Sequence, residues 1–123
     1  MNRPILVVED NAYIRDAVVH VLAQAGYPVV AVPHGEAALS FLGDQDAELI
    51  VLDLAMPVMS GLEFLKIRED DPDLRRIPVI VYTAFQRPDE KLPDVCGFVQ
   101  KHDDPDALLA QIDRCRRRVT LPA

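Results

Sequence analysis

The sequence predicts an α/β fold, with a central parallel β-sheet and helices on both of its faces. Short apolar runs rich in valine, isoleucine and leucine alternate five times with segments whose apolar residues recur at helical spacing. The run Leu49–Leu52 contains no polar residue, which is typical of a strand buried on both faces. Alternation of strands and helices favours right-handed crossovers between parallel strands.

The apolar runs predict five strands. The first, Ile5–Val8, is rich in β-branched residues and is followed at once by polar residues. The other predicted strands are Val29–Val32, Leu49–Leu52, 78–83 and Gly97–Gln100.

Helices are predicted between and after these strands. The first, at about 12–25, has an apolar stripe, is capped by Asp10 or Asn11, and ends at Gly26 in a left-handed cap. The segment 70–78 reads as a polar connection. The remaining predicted helices are 36–42, stopped by Gly43, then about 61–69, and 105–118, capped by Asp103 or Asp104.

Composition limits the function. The chain has 123 residues, enough for one domain, and 20 acidic against 13 basic residues, a net charge of −7 that argues against a nucleic-acid-binding surface. It has no signal-peptide pattern and no apolar stretch long enough to cross a bilayer, so a cytoplasmic location is expected. Cys96 and Cys115 form no metal-binding spacing, and two reduced thiols are expected.

Polar side chains follow four of the predicted strands. Glu9 and Asp10 come after the first strand and Asp53 after the third, while Thr83 ends the fourth and Lys101 follows the fifth. In parallel sheets the carboxyl ends of the strands share one edge, where ligands bind. We therefore expect these five side chains to lie together.

Three carboxylates at one edge need neutralisation. At separations of about 5 Å and an effective dielectric of about 20, each pair repels by roughly 3 kcal/mol. Lys101 can offset part of this repulsion, and a hard divalent cation such as Mg²⁺ can offset the rest. A carboxylate beside Mg²⁺ can act as a nucleophile toward phosphorus, and the Thr83 hydroxyl can donate to a phosphoryl oxygen.

The ordered set of these residues resembles the receiver domain of two-component response regulators. The resemblance covers essentially the whole chain, and it implies a three-layer αβα fold of the flavodoxin-like type, with a five-stranded parallel sheet of order 2-1-3-4-5. The matching positions are Glu9-Asp10, Asp53 in a D-x-x-M-P motif, Gly61, Thr83-Ala84, Phe98 and Lys101.

The resemblance implies a metal site and an acceptor. Asp53 corresponds to the phosphoacceptor. Asp10 corresponds to a direct Mg²⁺ ligand, with Glu9 acting through water and the backbone carbonyl of Ala55 as a further ligand.

The resemblance also implies a switch. Thr83 and Lys101 correspond to the residues that sense the phosphoryl group, and Phe98 to an aromatic residue that changes rotamer on activation. The alternative for Phe98 is an ordinary core residue, since phenylalanine has no hydroxyl that would favour an exposed state.

The sequence departs from the family pattern in three places. The region 85–95 is short and holds two prolines, so the family's fourth helix is expected to be short, distorted or absent. His102 replaces the proline that usually follows the lysine. Ala55 and Phe85 offer no polar side chain to orient a hydrolytic water, which predicts slow autodephosphorylation. A phosphorylated form with a half-life of only seconds, measured with Mg²⁺ at neutral pH, would contradict this prediction.

The function implied is a phosphoacceptor switch in a two-component phosphorelay. The donor would be a sensor histidine kinase or a histidine phosphotransfer protein, and the response an altered contact with an unidentified downstream protein. Residues 1–123 are expected to form one receiver domain, either a stand-alone protein or a piece of a longer one. No output domain and no membrane segment are expected within these residues, and no enzymatic activity beyond the receiver's own phosphorylation and slow dephosphorylation.

Two other functions compete with this one. The first is a receiver-like protein-interaction module that works without phosphorylation. The second is a phosphoaspartate hydrolase of the haloacid dehalogenase type, which is disfavoured because Ala55 stands where a second acid is usually found. A flavin or dinucleotide domain would need a glycine-rich loop after the first strand, where this chain has acids.

Overall fold

The structure is a computed structural model that describes residues 3–54, 59–84, 95–101 and 104–120, with residues 118–120 described by their backbone alone. Within these residues, no helix combines the length and the apolar character needed to cross a membrane. The described residues include all five predicted strands, so the structure gives bounds for each of them.

The sheet is parallel throughout and has five strands in the order β2-β1-β3-β4-β5. The predicted strand positions are confirmed, except that the fourth begins one residue later. The strands are β1 Ile5–Val8, β2 Val29–Val32, β3 Leu49–Leu52, β4 Val79–Thr83 and β5 Gly97–Gln100. The expected fold class and strand order are thus confirmed.

The helices pack as two layers on the sheet. Their bounds are α1 Ala12–Gln24, α2 Gly35–Asp44, α3 Gly61–Asp70, α4 Pro72–Arg75 and α5 Pro105–Thr120. Strand residues of alternating parity face two separate apolar clusters, because successive side chains of a strand point to opposite faces. One cluster contains residues of α2 and α3, and the other contains residues of α1 and α5.

Helix caps explain most of the boundaries. The Asn11 side chain accepts a hydrogen bond from the Ile14 N–H, and α1 is followed by Gly26 with φ of 94°, as predicted. Ser60 caps α3 by accepting from the Glu63 N–H, and its hydroxyl also bonds the Glu63 carboxylate at 3.3 Å. These bonds fix the start of α3 next to the sheet edge.

Two helix predictions are wrong. The segment 70–78 contains a helix, α4, because Asp71 caps it and Pro72 occupies its first turn, where a missing N–H costs nothing. Gly43 does not stop α2, which continues to Asp44, since a glycine inside a helix costs only about 1 kcal/mol. The region 85–94 and residues 102–103 lie outside the described residues, so the expectations for the fourth helix of the family and for His102 stay predictions.

The expectation of two reduced thiols is also wrong. Cys96 and Cys115 form a disulfide, with 6.0 Å between their Cα atoms. The reason is topological: α5 runs back antiparallel to β5, which brings the end of the helix near the start of the strand. The pairing depends on how the helix packs against the strand, so the spacing of the two cysteines along the sequence does not predict it.

Arg68 is a buried cation of α3 that forms hydrogen bonds to the turn between α4 and β4. It is 2% exposed. Its Nε and Nη2 atoms donate to the Ile77 carbonyl at 3.0 and 2.6 Å, and Nη2 also donates to the Arg75 carbonyl at 3.0 Å. The guanidinium therefore closes the turn that leads from α4 into β4.

Candidate functional site

Three carboxylates meet at the carboxyl edge of the sheet. Val8 and Leu52 are register partners in the neighbouring strands β1 and β3, so the residues that follow them, Glu9 and Asp53, lie side by side. Oxygen atoms of Glu9, Asp10 and Asp53 all lie within 4.8 Å of one another. This arrangement confirms that the acids lie together.

Backbone hydrogen bonds hold the acids in place. The Asp53 N–H donates to the Val8 carbonyl and the Glu9 N–H to the Val32 carbonyl, both at 3.1 Å. The Arg15 guanidinium, one turn into α1, donates to the Glu9 carbonyl at 3.0 Å. The sequence offered no signal for this role of Arg15, because an arginine on a helix surface is normally solvated.

Among the residues that the structure describes, Lys101 supplies the ammonium that contacts the acids. The backbone N–H of Lys101 donates to the Thr83 carbonyl at 2.8 Å, so Lys101 lies directly after the residues that pair β4 with β5. Its ammonium forms ion pairs with Oε1 of Glu9 and, at 3.2 Å, with Oδ2 of Asp53. Burial acts to lower the pKa of Lys101, but the hydrogen bond to Glu9 and the charges of Asp53 and Glu9 outweigh it and raise the pKa. The lysine is thus a fixed positive charge.

One cation does not neutralise the site. Glu9 and Asp53 are both buried, with 2% and 4% exposure, whereas Asp10 is exposed. Burial raises the pKa of Glu9 to about 7; the hydrogen bond from Lys101 opposes this rise and the negative charge of Asp53 adds to it. A second positive charge would offset the remaining negative charge of the acids. Three carboxylates are ligands that suit a hard divalent cation.

The raised pKa of Glu9 predicts a pH dependence of stability. In the metal-free protein the folded state binds this proton more tightly, so the free energy of unfolding should fall as the pH rises from 4.5 to about 7. The fall should be about 2–3 kcal/mol. Urea unfolding in a chelator across this range measures it. Glu9→Gln should flatten the slope, and Glu69→Gln, an exposed acid on α3, should not; equal slopes in both variants would contradict the prediction.

Gly61 brings the start of α3 against the backbone of the site. Its N–H donates to the Leu54 carbonyl at 2.9 Å. A Cβ atom on Gly61 would lie 2.4 Å from the Asp53 carbonyl oxygen and 2.6 Å from the Leu54 Cα, closer than atoms can approach. The sequence identified Gly61 only as a member of a motif, and the structure adds the reason: only glycine permits this approach.

Thr83 and Phe98, the two other residues predicted to take part in switching, differ in burial and in the groups that they contact. Thr83 is fully buried at the end of β4, and its carbonyl accepts from Lys101. Phe98, a register partner of Val81, is partly buried and packs against the apolar cluster on the α2–α3 face. Its change of rotamer stays a prediction. Ala55 and Phe85 lie outside the described residues.

The chain matches a known protein family over most of its length. The family model for the response regulator receiver domain matches residues 5–113. The chain belongs to the response regulator receiver family. The resemblance stated from the sequence is therefore confirmed, and the carboxylate cluster lies at the ends of the receiver's β1 and β3.

Curated relatives of this receiver include full-length regulators. The phosphate regulon transcriptional regulatory protein PhoB of Klebsiella pneumoniae is 34% identical over 124 residues, which cover 98% of this chain and 54% of the relative. The polar-differentiation response regulator DivK of Brucella ovis is 35% identical over 85 residues, 69% of each chain. This chain spans about half the length of the PhoB relatives it matches.

Solved structures of receivers have the same fold. The chemotaxis protein CheY4 of Vibrio cholerae has a TM-score of 0.85 at 29% identity and covers 94% of this chain and 99% of its own. The receiver domain of a signal transduction histidine kinase from Syntrophus aciditrophicus has a TM-score of 0.88 at 28% identity, with coverage of 98% and 95%. A chemotaxis receiver and a kinase receiver thus both share this fold.

Proposed function

We propose that this receiver, residues 1–123, accepts a phosphoryl group on Asp53 in a Mg²⁺-dependent reaction within a two-component phosphorelay. The observation that carries the proposal is the position of Asp53. Its carboxylate is nearly buried, lies 3.2 Å from the Lys101 ammonium and belongs to the cluster with Glu9 and Asp10. The proposed nucleophile, a cation and the proposed metal ligands therefore lie together.

The carboxylates fit a magnesium ion. Asp10 and Asp53 would bind it directly and Glu9 through water, and the Ala55 carbonyl would complete the protein ligands by analogy with the family. When bound, Mg²⁺ would neutralise negative charge on the carboxylates and on the phosphoryl oxygens. Glu9 would then hold its ion pair with Lys101 as a carboxylate rather than share a proton.

The phosphoryl transfer is a substitution at phosphorus. A carboxylate oxygen of Asp53 attacks the phosphorus of a phosphohistidine, the new P–O bond forms, and the P–N bond breaks. The electron pair leaves with the imidazole, which takes up a proton. Lys101 places its ammonium where negative charge gathers on the phosphoryl oxygens, and the Thr83 hydroxyl would donate to one of them. The receiver would thus catalyse only its own phosphorylation and a slow dephosphorylation.

A protein donor fits the surface beside the site. An open, mainly apolar groove of about 310 Å³ runs between α1 and α5 and includes Lys101. Tyr13, in the first turn of α1, is 88% exposed at its rim. A helical histidine kinase or histidine phosphotransfer protein in the cytoplasm would bury this apolar surface while its phosphohistidine reaches Asp53. The groove is further lined by Ile14, Val18, Tyr82 and Leu108.

Asp53→Asn tests the proposal. Incubation of the wild type with a small phosphodonor and Mg²⁺ should add the mass of one phosphoryl group, and intact-mass spectrometry should find no such gain in the variant. Asp70→Asn, which changes an exposed acid at the end of α3, is the matched control and should be phosphorylated like the wild type.

The outcome separates the two candidate functions. A wild type that gains no phosphoryl mass at any Mg²⁺ concentration would favour the receiver-like interaction module that works without phosphorylation. A gain that persists in Asp53→Asn would move the acceptor to another residue.

A further inference from the structure

We propose that Cys96 and Cys115 form a thiol–disulfide exchange site, at which a small thiol such as glutathione attacks the sulfur of Cys96. The pair lies at the opposite end of β5 from Lys101, since Cys96 immediately precedes the strand and Lys101 immediately follows it. The inference is separate from phosphoryl transfer, and it does not rest on the proposed role of Asp53.

The two cysteines differ in burial. Cys115 is fully buried on the inner face of α5, in the apolar cluster with Leu108 and Ile112. Cys96 is only partly buried, because it lies at the start of the last strand in the sheet order. We therefore expect an incoming thiolate to attack the sulfur of Cys96 rather than that of Cys115, with Cys115 as the leaving group.

The exchange balances without another reagent. The thiolate bonds to the Cys96 sulfur, the Cys96–Cys115 bond breaks, and the Cys115 sulfur leaves with the electron pair and takes up a proton. A second thiol then attacks the mixed disulfide and releases the Cys96 thiol together with an oxidised thiol dimer. The net change oxidises two small thiols and reduces one protein disulfide.

The reduced pair would stay aligned for closure. Both backbone groups of Cys96 are held, its N–H by the Val79 carbonyl at 2.7 Å and its carbonyl by Nη2 of Arg114 at 2.6 Å. Arg114 belongs to α5, so this bond ties strand to helix independently of the sulfurs.

The size of the core favours a reversible bond over a disulfide that the fold requires. A domain of this length buries its core without covalent links. A free Cys115 thiol would remain a small apolar group among the same neighbours. Reduction should therefore leave the fold intact and free the thiols for reoxidation.

Glutathione redox titration of the folded wild type tests the proposal. Maleimide trapping and intact mass should show species with no adduct or with two adducts, interconverting reversibly with the ratio of reduced to oxidised glutathione. A protein that keeps two free thiols at every ratio would overturn the pairing. A disulfide that excess reduced glutathione opens only when the protein unfolds would overturn the exchange.

Single-cysteine variants test the direction of attack. With oxidised glutathione, Cys115→Ala should gain one glutathione mass, whereas Cys96→Ala, whose remaining thiol is buried, should react at least about tenfold more slowly. Equal rates in two variants with wild-type circular dichroism would contradict the assignment of Cys96. The titration of the wild type decides the exchange even if a variant does not fold.

Arg114→Gln tests the alignment. Loss of its charged hydrogen bond to Cys96 should shift the equilibrium with glutathione about tenfold toward the dithiol. Arg117→Gln, on the same helix and paired instead with Asp113, is the matched control and should leave the equilibrium unchanged. Equal shifts in the two variants would indicate a general charge effect and contradict the alignment role.

Discussion

Replacing Gly61 with alanine should lower the free energy of unfolding by about 2–3 kcal/mol, near the upper end for overpacking. The added methyl group would meet the Asp53 carbonyl oxygen and the Leu54 Cα, and both are backbone atoms that cannot rotate away. The start of α3 would have to move outward and would stretch the hydrogen bond from the Gly61 N–H to the Leu54 carbonyl. Urea or thermal unfolding measures the loss.

Gly43→Ala is the matched control for Gly61→Ala. Gly43 lies inside α2, and no described atom outside its own stretch of helix lies within 4 Å of the position its Cβ would take. Alanine there should stabilise the domain by about 0.5–1 kcal/mol, because helix formation then restricts the backbone less. Opposite signs at two glycines would show that the backbone approach at Gly61, and not glycine itself, is what the fold requires. Equal effects would contradict that explanation.

Arg68→Met should cost about 3 kcal/mol in unfolding free energy, the other large effect we expect. The substitution keeps the apolar stem but removes the donors to the Ile77 and Arg75 carbonyls, and an unpaired buried carbonyl costs about 1–3 kcal/mol. The turn between α4 and β4 should loosen first, which hydrogen exchange at these residues would detect.

Lys66→Met separates this effect from a change of charge on the helix. Lys66 lies on the exposed side of the same α3 helix, so its replacement should change the unfolding free energy by less than about 0.5 kcal/mol. If Arg68→Met were equally mild, the guanidinium would not be holding the turn.

The sequence predicted the sheet and the position of the acids because both follow from patterns along the chain. A short apolar run such as Leu49–Leu52 predicts a buried strand. The residue after a parallel strand lies at the edge that all the strands share. Alternation of strands and helices therefore placed Glu9, Asp53 and Lys101 at the same edge of the sheet, where the structure brings them into contact. The order of the strands came from the family resemblance.

The sequence did not predict features that depend on contacts across the fold. The Cys96–Cys115 bond depends on where α5 ends against β5, and the burial of Arg68 depends on two carbonyls that converge on one face of α3. The helix α4 was missed although Asp71 and Pro72 are a capping signal, because four residues are too few to show periodicity.

The Cys96–Cys115 bond also changes the shape of the unfolded chain. It closes β5 and most of α5 into a covalent ring whose two cysteines lie 19 positions apart in the sequence. When the chain is stretched by force, the segments before and after the ring straighten, but the ring itself cannot. The fully extended oxidised polypeptide is therefore about 60 Å shorter than the reduced one. Contour length, which depends on neither the sheet nor the acids, thus reports the oxidation state of this receiver.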